Sequence, residues 1–428
     1  MALENRLKTA FGESLSTIGD IADVICGPFG SAIKSEDYQE DGIPLLRITN
    51  ITPQGYLDYS NLTYISEELG NSLFRTQVSP GDIVISQRGT LGQCAVVDDK
   101  FEKLNISANI IAVKNFRGIS AKFVRSYILS SIGRKQLERF SSGQVQGKIT
   151  TQDIADILIP AVCGNEQRLV QIIEDGYISY LEKLRQANEL LAGLESGLIC
   201  LFGLTQSLNK KLCFSIRFGD LDGVIAVNRY KNIKKSGHSL KIEDICEIVE
   251  EKTKATKYGQ QLINWIRIDD LPNRPMEIET VRTQPANKVE GSFFNVQKGD
   301  ILVARLGPTI LNQKIVLVRH LERETVASSE FLVLRCKEDY NPEVVMAILK
   351  TSYYRNLLYS YARGSTPSRY RLNRDDMLKL TFPDIRAKQS TVLRRIHTVQ
   401  SKVKKLQEEA EKEWTAAKER FEKELLEG

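Results

Sequence analysis

The pattern nearest to an active-site motif is Gly143-Gln144-Val145-Gln146-Gly147-Lys148-Ile149-Thr150. It looks like a phosphate-cradling loop of the form Gly-x-x-x-x-Gly-Lys-Ser/Thr, in which backbone amides and the lysine hold a triphosphate. The spacing defeats that chemistry. One residue is missing between the glycines, Ile149 stands where a magnesium-binding hydroxyl is needed, and the loop follows a helix-forming run instead of a strand. His-Glu-x-x-His, Gly-x-Ser-x-Gly and the Asn/Asp-Pro-Pro-aromatic tetrapeptide of amino-methyltransferases are all absent. Asp82 and Asp300 each follow a glycine and precede an apolar run, which is turn chemistry. Glu250-Glu251-Lys252 reads as a charged surface helix or turn, not a nuclease site. His238, His320 and His397 are far apart, and the seven scattered cysteines include no Cys-x-x-Cys, so no metal site and no disulfide framework is expected.

What remains are side chains suited to reading base edges. Arg pairs with guanine and Asn or Gln with adenine through two parallel hydrogen bonds, while Ser, Thr and Lys hold phosphates and set register. In the first half of the chain these are Arg47, Asn50, Gln87, Arg88, Thr90, Gln93, Gln144, Gln146 and Lys148. In the second they are Arg267, Asp269, Arg305, Asn312, Gln313 and Lys314, followed by Arg363, Ser365, Thr366, Ser368, Arg369, Arg371 and Arg374. Residues 363–374 carry four arginines before any acid, a local positive stripe. The net charge of +5 permits nucleic-acid binding without arguing for it.

These residues fall at equivalent places because the chain is a tandem duplication. Gly81-Asp82-Ile83-Val84-Ile85 recurs 218 residues later as Gly299-Asp300-Ile301-Leu302-Val303. Leu45–Ile48 resembles Trp265–Ile268, Asn105–Lys114 resembles Thr325–Arg335, and Ile149–Pro160 lines up with Leu372–Pro383, all at nearly the same shift. A constant shift over several blocks marks a repeated structural unit.

Each copy mixes strand and helix. Expected strands are Ile43–Ile48, Asp82–Ser86, Gln93–Val97 and Ile106–Val113, then Asn264–Ile268, Asp300–Ala304, Lys314–Arg319 and Ser329–Cys336. Single helices are expected over Ser120–Arg139 and Pro342–Tyr361. Polar loops follow at Ser141–Gly147 and Arg363–Arg371, each leading to a short helix before Pro160 and Pro383, the first capped by Thr150/Thr151. Each copy then ends in a long helix. Val170, Ile173, Tyr177, Tyr180, Leu184, Ala187, Leu191, Leu194, Leu198 and Leu201 step alternately by three and four, the seam of a helix packed lengthwise on another. Val392, Ile396, Val399, Val403, Leu406, Ala410, Trp414, Ala417, Phe421 and Leu425 supply the partner, with Lys and Glu on the outer face. The joint between copies is placed at Phe202–Ser215, and residues before about Ser14 read as a polar leader. No signal sequence or membrane-length apolar run stands out, so a cytoplasmic chain is expected.

The expected fold class is α+β, with two tandem, pseudo-twofold-related α/β domains, each followed by a long helix, the helices pairing as an antiparallel coiled coil. This whole layout resembles the specificity (S) subunit of a type I restriction–modification system. The resemblance is carried by Gly81–Gly92 and Gly299–Gly307, the Ser-Gly-Gln…Lys-Ile-Thr…Ile-Pro run of 142–160, its counterpart at 364–383, and the two helices. It implies target-recognition domains at 14–160 and 214–385 and conserved spacer helices at 161–203 and 386–428. It also implies that each domain binds half of an interrupted, asymmetric double-stranded DNA site. Two methyltransferase subunits using S-adenosylmethionine would dock on the helices and methylate adenine at N6, and a separate motor–nuclease subunit would cut. The chain itself would bind no cofactor and catalyse nothing. Family members vary most in the reading loops, so no base contact transfers to a particular residue. Two other readings compete: a coiled-coil scaffold joining two α/β modules without DNA, and a self-contained enzyme.

Overall fold

A computed structural model describes residues 7, 9, 11–28, 32–141, 148–161, 164–204, 239–275, 278, 281–289, 291–319, 321–366 and 369–427. The chain forms two compact units, Met1–Arg185 with Leu406–Gly428, and Gln186–Lys405. The proposed joint after Leu204 lies outside the described residues.

The first unit carries strands β1 (Leu15–Thr17), β2 (Asp23–Cys26), β3 (Ile43–Leu46), β4 (Thr63–Ile65), β5 (Gln77–Val78), β6 (Ile83–Ser86), β7 (Cys94–Val96), β8 (Leu104–Ile106), β9 (Ile110–Lys114) and β10 (Leu158–Pro160). Its helices are α1 (Ile18–Ile21), α2 (Glu67–Ser72), α3 (Ala121–Leu129), α4 (Ser131–Ser141), α5 (Thr151–Ala155) and the first half of α6 (Glu166–Phe202). Strands β2-β9-β6-β7 make one antiparallel sheet, β4-β3-β8-β5 a second in which β3 and β8 run parallel, and β1 pairs with β10.

The second unit repeats this order. It has β11 (Ser239–Lys241), β12 (Cys246–Ile248), β13 (Lys252–Lys254), β14 (Leu262–Ile266), β15 (Arg282–Pro285), β16 (Ser292–Asn295), β17 (Ile301–Ala304), β18 (Ile315–Leu317), β19 (Thr325–Ser328), β20 (Phe331–Cys336) and β21 (Thr381–Pro383). Its helices are α7 (Ile242–Ile245), α8 (Gly307–Leu311), α9 (Pro342–Leu349), α10 (Ser352–Tyr361), α11 (Arg374–Leu378) and the first half of α12 (Gln389–Glu427). The sheets are β12-β20-β17-β18, β13-β16-β19-β14-β15 with β14 and β19 parallel, and the pair β11-β21. Among the described residues, only β13 lacks a counterpart in the first unit's sheet order.

The repeated apolar strand shows why neither copy alternates polar and apolar. Ile83 and Ile85 pack on Phe123 and Tyr127 of α3. Val84, between them, packs on Leu46, Val78 and Ile106 of the other sheet. Ile301 and Val303 likewise face Val344 and Ile348, while Leu302 faces Ile266 and Phe294. A strand covered on both faces is apolar throughout. Each such side chain contributes about 1.5–3 kcal/mol by leaving water.

Several expected elements divide. The run expected as one strand over Ile106–Val113 is β8 and β9, separated by a corner at Ser107–Asn109 where Asn109 adopts φ 68°, so the chain changes sheet. The Ser120–Arg139 helix breaks at Ser130, which is extended and caps the next turn: its hydroxyl donates to Tyr127 O (2.6 Å) and accepts from Gly133 N (3.2 Å). The Pro342–Tyr361 helix breaks at Lys350–Thr351, where the Thr351 hydroxyl caps α10. Thr150 caps α5 through a reciprocal box with Asp153, as its position suggests. Part of the expected polar leader is core instead: Leu7 is buried and Phe11 packs beside it in the first unit.

The long helices pair in both units. In the first, Tyr177 lies edge-on to Trp414, and Lys183 pairs with Glu409 (2.9 Å), so contacts advance along α6 as they retreat along α12. In the second, Leu198 shares a core cluster with Val392 and Ile396, and Lys388 donates to Leu201 O (3.1 Å). The pairing is antiparallel in each. Along α6, Ile173, Ala187 and Leu198 are buried, and Leu194 packs on the core. Leu184 and Leu191 are half-buried. Along α12, Val403 is fully buried, with Val399 and Leu406 half-buried. Leu201 does not join the seam, being 40% exposed, whereas Leu169 and Ile172, outside the three-four pattern, are buried against the globular part of their unit. Among the described residues no helix is long and apolar enough to cross a membrane.

Candidate nucleic-acid interface

In each unit three loops meet at one sheet edge, joined by the same two backbone hydrogen bonds. In the first, Gln87 at the end of β6 donates its N–H to Asn109 O in the corner (2.8 Å), and its carbonyl accepts from Ile149 N (3.1 Å). In the second, Arg305 at the end of β17 donates to Glu330 O (3.1 Å) and accepts from Leu372 N (2.8 Å). Residues 87 and 305 differ by the same 218 positions as the glycine-aspartate turns that precede them. Those turns are structural. Asp82 accepts from Ser79 N (2.9 Å) and Asp300 from Gln297 N (2.9 Å), and each carboxylate meets a cation, Lys114 at 3.8 Å and Arg335 at 2.8 Å. Burial raises the Asp82 carboxyl against the pull of the Ser79 hydrogen bond and Lys114.

The first unit's candidates divide between surface and scaffold. Arg88 and Thr90 are exposed on the loop after β6, where Gly89 and Gly92 hold positive φ. The Thr90 hydroxyl donates to the half-buried Gln93 Oε1 (2.7 Å). Lys148 is half-buried beside them. Arg47, at the end of β3, donates to Asn61 O (3.0 Å). Gln144 and Gln146 lie outside the described residues. Two candidates are corrected. Asn50 is 2% exposed, with Oδ1 accepting from Arg47 N (2.9 Å) and Nδ2 donating to Asp58 O (2.9 Å), so it closes a hairpin. Gln87 is 5% exposed with its amide turned toward Cys26 Sγ (3.9 Å), leaving its backbone, not its side chain, at the junction.

In the second unit Arg305 is half-buried, its Nε donating to Leu372 O (3.1 Å). Burial and the neighbouring Arg371 lower its pKa. Gln313 is corrected like Gln87: it is 5% exposed and donates to Lys350 O (2.6 Å). Lys314 donates to Ile268 O (3.0 Å), tying this loop to the end of β14, where Arg267 lies over Trp265 and pairs with Asp269 (2.8 Å). Asn312, Ser365 and Thr366 are exposed, and Ser368 lies outside the described residues.

The positive stripe of 363–374 is largely neutralised. Arg363 pairs with Asp376 (2.9 Å), Arg371 with Glu330 (2.9 Å), and Arg374 with Glu250 and Asp375. Sequence proximity could not show this, because Glu250 and Glu330 arrive from distant loops. Arg88 and Arg369 are exposed and pair with no acid among the described residues. The two corners, Ser107–Asn109 and Ser329–Glu330, belong to the edge as well, though the runs around them read as continuous strands; the polar break within each β-rich run is their sequence signal. Among the described residues no cluster of His, Cys, Asp and Glu is arranged to hold a metal. The edges offer donors and acceptors around a rigid backbone junction.

Residues 14–192 match the family described as the type I restriction modification DNA specificity domain. The specificity subunit of the type I restriction enzyme EcoBI from Escherichia coli is 25% identical over 183 residues, spanning 42% of this chain and 36% of that relative. Among solved structures, the type I restriction–modification S subunit from M. genitalium aligns over 95% of this chain and 94% of its own, at 10% identity and TM-score 0.37. The HsdS subunit from Thermoanaerobacter tengcongensis aligns over 97% and 96%, at 13% identity and TM-score 0.35.

Proposed function

We propose that this chain, which through residues 14–192 belongs to the type I restriction modification DNA specificity domain family, reads a two-part, asymmetric DNA site, one half with each unit's loop edge. The observation that carries the reading is one hydrogen-bond scheme repeated around unlike side chains: the junction of residues 87, 109 and 149 recurs at 305, 330 and 372, while the exposed side chains around it differ. A conserved junction with changed donors suits two readers of different sequences. The surface candidates are Arg88, Thr90, Gln93, Lys148 and Arg47 in one edge. In the other they are Arg305, Asn312, Arg267 and the loop 363–371.

In this reading the chain is non-catalytic and acts in the cytoplasm. It positions two adenine-N6 methyltransferase subunits, which hold the S-adenosylmethionine, and a motor–nuclease subunit, with the paired long helices as the spacer. The target-recognition domains are then 14–160 and 214–385, and the spacer helices 161–203 and 386–428. The test is a genome-wide map of N6-methyladenine in the source cell with and without this chain. A two-part motif with a fixed gap, lost on deletion, is the expected result; a methylation pattern indifferent to the deletion overturns the reading.

A further inference from the structure

Apart from Arg369, the arginines of 363–374 are engaged by acids, and further free positive charge of the second unit lies elsewhere. Lys252, Lys254 and Lys257 are exposed and form no ion pair among the described residues. They belong to β13, the one strand among the described residues without a counterpart in the first unit's sheets, and the turn after it. We infer that β13 is a phosphate-contacting arm that seats the second unit on the backbone of duplex DNA, an inference that rests on the proposed reading of that unit's edge.

Register places the arm at that edge. Lys252 pairs with Phe294, Phe294 with Ala327, and Ala327 with Ile266, so Lys252 is level with the residue preceding Arg267. Lys254 pairs with Ser292, one step beyond the Phe293–Ser328 pair, and so is level with the Ser329–Glu330 corner. Two residues apart on one strand, Lys252 and Lys254 share a face at a spacing of about 7 Å. The support is stiff. Tyr258 in the following turn donates to Asn295 Oδ1 of β16 (2.9 Å), and the Lys252 ammonium lies 5.9 Å from the Phe294 ring. Of the nearby acids, Glu250 is engaged by Arg374, leaving Glu251 on the connection before β13. Lysines on an outer strand also block edge-to-edge aggregation. That role needs charge but no DNA, and its consequences differ.

Each phosphate neutralised by a lysine releases counterions and steepens the fall of log affinity with log salt by about 0.9. The experiment measures binding of the full chain, with its methyltransferase subunits, to a fluorescent 30-base-pair duplex of arbitrary sequence across a salt series. The triple variant Lys252→Gln, Lys254→Gln, Lys257→Gln is expected to bind more weakly, with a slope shallower by about 2–3. The triple lysine-to-arginine variant keeps the wild-type slope. The methylated motif stays the same in both, because phosphate contacts carry no sequence information. An unchanged slope in the glutamine variant overturns the inference while leaving the proposed reading intact, as does equal loss in both variants, which marks a structural role. A wild-type complex that binds no duplex overturns both.

Discussion

Two glycines of α6 should respond to the same substitution with opposite signs. A Cβ at Gly176 would lie 2.3 Å from Ala417 Cβ on α12, whereas one at Gly193 would meet nothing within 4 Å. In a helix interior Gly→Ala gains about 0.8–1.0 kcal/mol from backbone entropy. Gly193→Ala should collect that gain. At Gly176 two methyl carbons must separate by more than 1 Å to reach van der Waals contact at about 3.5–4.0 Å, and overpacking of this kind costs about 1–3 kcal/mol. The net effect is a destabilisation of up to about 2 kcal/mol, set against a stabilisation of about 1 kcal/mol at Gly193. Adding Ala417→Gly to Gly176→Ala moves the methyl from one helix to the other and should return stability to near wild type. Urea unfolding followed by far-ultraviolet circular dichroism reads both units, Gly193 in the second included; the emission of Trp414, buried at the Gly176 crossing, reads the first unit alone once Trp265→Phe silences the other tryptophan. A midpoint raised by Gly176→Ala as much as by Gly193→Ala would refute the close crossing.

Arg88→Ala should weaken or relax recognition of one half-site and Arg369→Ala the other, by about 1–3 kcal/mol of discrimination if each makes a bidentate contact; a methylation map unchanged in both variants removes them from the reading surface. Gln313→Ala should leave the motif intact but lower stability by about 1–3 kcal/mol, since it leaves the half-buried Lys350 carbonyl without that donor; loss of one half-site with full stability would reverse that assignment. Burial, with Arg274 close by, pulls the Lys350 ammonium down to about 8 from 10.5. The unfolded chain keeps that proton where the folded chain has released it, so stability should rise between pH 8 and 10.5 by an amount on the order of 3 kcal/mol. Lys350→Met should flatten that rise, and a pH dependence identical to wild type would show that Lys350 is not its source.

The duplication, the two-face burial of β6 and β17 and the two long helices follow from sequence alone, because each is written in local order. A repeated block has a constant offset, a doubly covered strand is a continuous apolar run, and a helix seam steps by three and four. The loops that meet at the junction are legible for the same reason, since they interrupt those patterns at matching places. The fate of each side chain within them was not local. Asn50, Gln87 and Gln313 are polar residues in polar loops, like Arg88 and Thr90, yet folding turns them inward, Asn50 onto Arg47 N and Asp58 O, Gln313 onto the Lys350 carbonyl, and Gln87 toward Cys26 Sγ. The arginines of 363–374 looked like free charge until Glu250 and Glu330 came to them from 124 and 41 residues away along the chain. The lysines of β13 and the turn after it, which begin next to Glu250-Glu251, add exposed charge to the same edge. Periodicity encodes which face of an element is buried, but a hydrogen bond or ion pair is settled only by which distant segments fold against it, and that is a property of the tertiary structure.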